Sequence, residues 1–360
     1  MADPWRIEAS VHRPGADPGD PAPYAGADSF TFVRLKLRDP DGVAGEGYTG
    51  RFLAPEVAHF LNHAVAEAMA QSGADPVADM SARFNPRGMT GVVVSALSAL
   101  DIALTDIRAK RAGQSVAHYL GGCRSTAPVH VTCGFPALDR EDLVRACARE
   151  VEAGAAGVKV LIAARGRSVA QDIKRLRAVR AAIGPAADLI ADANCKMTAR
   201  DAADFARHAA DLALACLEEP VVGNDRHALG QLVQGGARLG AGQMEQSAER
   251  FDLLTDAGVQ VIQPNAVFAG GFAAAIAAAR RAQASGAEVS PGGGWDIVNL
   301  HWMCGAMATG AVELHRAQAR IARLLTGDAP RLRDGHLHLP DGPGLGLVPD
   351  EWALSACRIG

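Results

Sequence analysis

The chain has 360 residues, a formal net charge of −4 from 36 Lys and Arg against 40 Asp and Glu, and 49% hydrophobic residues. That length suits one large α/β domain with a smaller companion, and the hydrophobic share fills a core. Scattered, nearly balanced charge excludes the electrostatic footprint of a nucleic-acid or anionic-membrane binder and leaves a small molecule as the expected partner.

No stretch reaches about 18 consecutive apolar residues. The N-terminal MADPWRIEASVHRPGADPGD has no basic region followed by an apolar one, so no signal peptide is expected. Seven cysteines, odd in number and without a CxxC pair, argue against a disulfide framework and for a reducing cytoplasm.

In chain order, PGADPGDPAPYAGA reads as a mobile loop. Residues 28 to 48, DSFTFVRLKLRDPDGVAGEGY, alternate, turn at PDG and resume, a hairpin signature. From 55 to 118 the apolar spacing is helical, and ALSALDIALTDIRAKRAG ends in basic residues and a glycine, as helix C-termini do. Residues 1–125 are therefore expected to form an α+β domain.

From 127 short β-type runs alternate with helices. Strands are expected at 129 to 133, 157 to 162, 188 to 192, 213 to 218, 238 to 242, 259 to 263, 287 to 291 and 311 to 315. Eight such units predict an α/β fold of the (β/α)8-barrel type over 126–318. A doubly wound sheet shares the alternation, but CGFPALD stands where its G-x-G-x-x-G fingerprint would be. The tail, 319–360, is turn-rich with a strand-like HLHLP and is expected to pack back on the N-terminal domain.

Barrel active sites lie at the C-terminal strand ends. Asp192, Glu218 and Glu245 each follow a short apolar run at successive intervals of 26 and 27 residues, about one barrel unit. Carboxylate oxygens converging there suit a hard cation such as Mg²⁺. Adjacent strand residues face opposite ways, so only one of Glu218 and Glu219 enters the mouth; Glu218 is preferred because an acid following LACL without a gap needs a partner at that burial. The residue nearest the fifth strand's end is Gln243, which leaves the third ligand open. Lys159 lies mid-strand in GVKVLI, where an unpaired ammonium is costly. It is either half of an ion pair or a desolvated base.

These residues, with GVAGEGYTG, ALSALDIALTDIRAKRAGQSVAHYLGG, DAN at 192, LEEPV at 217, QPNAVFAGGF at 263 and VELH at 312, resemble the enolase superfamily in its mandelate racemase and muconate lactonising group. The resemblance implies a capping domain whose loops near 15 to 27 and 50 to 55 cover the barrel mouth, and Mg²⁺ held by acids ending the third, fourth and fifth strands. It implies abstraction of a proton α to the carboxylate of a small hydroxy or sugar acid, leading to dehydration or epimerisation, in a homo-oligomer. Asp192 and Glu218 match the first two metal positions. The third reads Gln243, with Glu245 as the rescue. The usual lysine base reads Leu161, and the Asp-His dyad reads Asn265 and Gly292, leaving Lys159 as the surviving base and Glu313 as a polariser. Asn194, Asn265 and Trp295 are placed as substrate contacts, Cys195 and Lys196 as replacement bases, and His301 as a packing residue. Loss of three base positions also fits a barrel that binds a ligand without turning it over.

Overall fold

The computed structural model describes residues 5–15, 30–71, 77–82, 91–122, 124–327 and 332–359. The loop expected at 15 to 27 lies, but for its first residue, outside the described residues. Three antiparallel strands, β1 (Arg6–His12), β2 (Phe32–Arg38) and β3 (Ala44–Thr49), open the chain in that spatial order. The PDG turn joins β2 to β3, held by the Asp39 carboxylate, which accepts from the amides of Asp41 and Val43 at 3.0 and 2.9 Å. β1 went unrecognised in the sequence, although Ile7, Ala9 and Val11 alternate with Arg6, Glu8 and Ser10.

The sheet packs on the helix Val92–Arg111, and Gly45 and Gly47 make the contact possible. A Cβ at Gly47 would run into the Ala99 carbonyl, and one at Gly45 into that of Ala103. The same helix ties the cap to the barrel through buried polar side chains. Asp101 accepts from the Phe272 amide at 2.7 Å, and Ser98 from the Gly270 amide at 2.9 Å. Asp106 accepts from Glu46 and Leu345 at 2.9 and 2.7 Å. Thr49, ending β3, donates to the Val267 carbonyl at 2.7 Å.

The barrel strands are β4 (Thr126–Gly134), β5 (Gly157–Leu161), β6 (Asp188–Asp192), β7 (Cys216–Glu218), β8 (Leu239–Ala241), β9 (Val261–Ile262), β10 (Glu288–Val289) and β11 (Val312–His315). All eight fall within or against their expected ranges. They pair in parallel from β4 through β10, and β11 returns to β4. Between β10 and β11 the described residues show no backbone ladder. There the Ser290 hydroxyl donates to the Ala311 carbonyl at 3.0 Å. Val158 and Val160 face the outer helices, while Lys159 points inward. β12 (Leu332–Arg333) and β13 (His336–His338) follow, and β13, the strand-like HLHLP, pairs with the start of β4. Beyond it the tail returns to the cap: Glu351 bonds Arg34 at 2.7 Å, and the Ile359 amide donates to Val11 at 2.8 Å. No helix among the described residues is long and apolar enough to cross a membrane.

Gly47→Ala is expected to destabilise the protein by about 1–3 kcal/mol, since the added methyl meets backbone that cannot move aside cheaply. An unchanged urea midpoint for this variant would refute the close-packed cap.

Candidate active site

Strand register sets the working face. Leu161 pairs with Asp192, and Asp192 with Glu218, so neighbouring strands deliver their acids to one level of the rim. Glu218 points inward and Glu219 outward, as alternation requires. Glu219 accepts from the amides of Gly242 and Gln243 at 2.8 and 3.1 Å, fixing the β8 turn. The Asp192 carboxylate accepts from the Asn194 amide at 2.7 Å and its side-chain NH₂ at 3.2 Å.

The buried Lys159 ammonium lies 2.5 Å from Glu218 and 3.0 Å from Glu313. Glu313 also accepts from the Thr132 hydroxyl and, at 3.1 Å, from the Gly294 amide; Gln263 donates to Glu218 at 2.8 Å. Three carboxylates thus share one ammonium. Burial opposes the charge on Lys159, but Glu218, Glu313 and Asp192 overcome it and hold the ammonium above its ordinary range. Burial would also raise Glu313, yet Lys159 brings it down to about 2. Asp192 is pushed well up by burial and by the charge of Glu218; Glu218 is pushed up by burial, with Lys159 only partly offsetting it.

Above this floor opens a cavity of about 260 Å³ lined by Asp192, Asn194, Lys196, Gln243, Glu313 and His315 on the barrel side and by Arg51 and Phe52 from the cap. Its size is below the ~300–1,000 Å³ of drug-sized sites and suits a small acid. The expected cover by residues 50 to 55 is therefore met by Gly50, Arg51 and Phe52. Trp295 also lines it, buried and stacked on Tyr48 with ring centroids 6.1 Å apart.

Several expected site residues stand elsewhere. Lys159 does not line the cavity; two carboxylates hold its ammonium beneath the floor, so it is the ion pair and not a free base. Glu245 is turned off the rim, bonded by Arg250 at 2.8 and 3.1 Å and by Asn224 at 3.1 Å, and so is not the rescue ligand. Asn265 is fully buried and braces the glycine loop, donating to the carbonyls of Gly292 and Gly294 and accepting from the Val267 amide, and it does not line the cavity. The Cys195 thiol donates to Glu219 at 2.9 Å and, in a buried setting beside that carboxylate, is pushed up. His301 packs with Nε2 on the Leu345 carbonyl, as expected.

The sequence reading missed Arg51, His315 and Gln318 as lining groups and Gln263 as the partner of Glu218. His315 carried a signal, because it stands two residues beyond Glu313 on one strand and so shares its face.

The donor set fits a hard cation. Asp192 and Glu218 are buried, adjacent and mutually repelling, with one shared ammonium to balance them, and Gln243 adds a neutral amide at the cavity wall. Among the described residues no group of three His, Cys, Asp or Glu side chains could hold a metal ion.

Two family models match the chain: "Mandelate racemase / muconate lactonizing enzyme, N-terminal domain" over residues 21–121 and "Enolase C-terminal domain-like" over 142–353. D-galactarolactone cycloisomerase of Agrobacterium fabrum is 30% identical over 76% of either chain. L-talarate/galactarate dehydratase of Salmonella typhimurium is 29% identical over 76% of this chain and 69% of its own. A racemase of Streptomyces coelicolor A3(2), solved with bound magnesium, superposes with a TM-score of 0.86 at 24% identity, covering 98% of this chain and 99% of that one.

Lys159→Met strands two buried carboxylates and is expected to cost about 3–5 kcal/mol at pH 7. Without the ammonium Glu313 loses what holds it near 2, so it gains a proton on mild acidification, and the deficit should shrink between pH 7 and pH 5. Urea unfolding at both pH values reads this, and a deficit that grows on acidification contradicts it.

Proposed function

The chain belongs to the enolase superfamily, in its mandelate racemase and muconate lactonizing enzyme family, and on that premise we propose that it is a Mg²⁺-dependent enzyme removing a proton α to the carboxylate of a small hydroxy or sugar acid, with dehydration or epimerisation following. The observation that carries this reading is the pair Asp192 and Glu218, buried side by side at one level of the rim with too little positive charge to balance them. A buried cluster short of cations is stabilised by binding one. Relatives support the substrate class, being named as acid-sugar dehydratases and cycloisomerases.

Asp192, Glu218 and the Gln243 amide oxygen would hold the ion. When bound, it supplies positive charge to the substrate carboxylate and so favours loss of the α-proton. Glu313, kept ionised by Lys159, lines the cavity and accepts from a substrate hydroxyl. Asn194 lines the wall beside Asp192 and offers a polar contact.

The proton goes to Lys196 in this reading. It is the one lysine among the described residues that lines the cavity, and it stands four residues beyond Asp192, whose strand partner is Leu161. Leu161 occupies the position where the resemblance places a lysine, so Lys196 brings an amine to the same wall by another route. The competing reading, a barrel that binds without turnover, draws on Leu161, Asn265 and Gly292 at the usual base positions.

Proton exchange at the α-carbon in D₂O, followed by NMR with Mg²⁺ and a panel of acid sugars, separates the two: no exchange with any acid overturns the enzyme. Lys196→Met is expected to slow exchange by about 10²- to 10⁴-fold with Mg²⁺ affinity retained. Gln243→Glu restores a third carboxylate and should tighten Mg²⁺ binding by about tenfold, roughly 1.4 kcal/mol, by calorimetry. Unchanged affinity would place Gln243 outside the metal shell.

A further inference from the structure

We propose that Arg51 and His315 form an outer subsite for a second anionic group, so that the acid bound here carries a further carboxylate or a phosphate at the end remote from the reacting carbon. The proposal rests on the functional reading above for the placement of the first carboxylate at the rim.

Arg51 follows β3 directly, two residues past the Thr49 anchor on the Val267 carbonyl. Its guanidinium lies over the Phe30 ring at 4.1 Å and beside Phe52 at 5.2 Å, which fixes it at the cavity wall. No carboxylate of the described residues pairs with it. Its outer part is exposed, and where it is covered burial lowers its hold on the proton, with only the two aromatic faces and no anion set against its charge. By contrast, Lys159 is paired with Glu218 and Glu313, and Arg250 with Glu245.

His315 stands on the same aromatic wall. Its ring centroid is 5.2 Å from Phe30 and 5.5 Å from Phe135, and the residue is 9% exposed. Nδ1 accepts the Ala317 amide at 3.2 Å, which puts the ring proton of the neutral imidazole on Nε2. Nε2 has no partner among the described residues. Burial, with Lys159 and Arg51 nearby, lowers His315 to about 4 against the pull of Glu313, so the ring stays a neutral N–H donor at pH 7.

The cavity is thus polarised. Asp192 and Glu313 lie at its floor, and two N–H donors without acceptors share the Phe30 wall. A sugar hydroxyl satisfies an imidazole but brings no counter-charge to the guanidinium. A carboxylate or phosphate satisfies both, since the planar guanidinium fork matches two anionic oxygens.

Calorimetry on the Mg²⁺-loaded full chain with galactonate, galactarate and 6-phosphogluconate tests this. One of the two doubly anionic acids is expected to bind at least about tenfold more tightly than galactonate; which one identifies the second group as carboxylate or phosphate. Arg51→Gln and, separately, His315→Phe should bring that ratio to within about twofold, and Arg51→Lys should keep part of it. Galactonate binding as tightly as both others, a preference that survives Arg51→Gln, or no binding by any of the three overturns the subsite. Binding with the expected ratios but without α-proton exchange would instead overturn the enzyme reading and leave the subsite standing.

Discussion

Lys159 reaches from the middle of β5 into an interior that also holds Glu218 and Glu313, and leaving any of the three unpaired at that depth would cost several kcal/mol. Its hydrogens therefore set where those two carboxylates stand. Glu313, drawn to Lys159, is positioned to accept from the Gly294 amide, which locks the glycine loop after β10. Glu218, drawn to the same ammonium on one oxygen and to Gln263 on the other, is held level with Asp192. One ammonium cannot balance three acids, and the surplus negative charge makes the rim receptive to a further cation.

The barrel presents this floor, and the cap closes over it by close approach. Gly45 and Gly47 let β3 lie on the backbone of Val92–Arg111, and that helix is pinned to the barrel through Ser98, Asp101 and Asp106. Asp106 is buried enough to be pushed up, yet Lys110 and two amides hold it in place. Arg51 leaves β3 just where that packing ends, so its position over the cavity follows from Gly45 and Gly47: strand against helix, helix against barrel, loop over mouth.

How much of this was legible depended on whether a residue's role follows from local periodicity. The eight strands were readable because each is a short, mostly apolar run with a helix after it, and alternation required that only one of Glu218 and Glu219 face inward. Lys159 was readable as a buried charge but not as paired rather than free, because the choice rests on Glu313, 154 residues away. Glu245 looked like a ligand from spacing alone, while Arg250, one helical turn on, claims it in the fold. Asn265 falls likewise to the loop carbonyls it braces. Arg51 and His315 needed the cap and the barrel brought together, which neither segment encodes by itself.

The substitutions at Leu161, Asn265 and Gly292 fall on groups that touch the cavity or its loop, whereas the charges beneath are intact. The two layers are under different constraints. Replacing a floor residue leaves a buried charge unpaired and threatens folding, so the floor can change only in concert. A neutral residue of the wall or its loop leaves no charge unpaired and exchanges at lower cost. Asn265 illustrates the difference: as an amide it braces Gly292 and Gly294 without needing the counter-charge a buried Asp would require there. Gly292 in turn leaves room beside the Gln243 side chain that a larger residue would fill. The wall is thereby reshaped around a neutral amide at the rim, and Lys196, His315 and Arg51 stand at the cavity surface, where their charge or hydrogen bond can be completed by what binds.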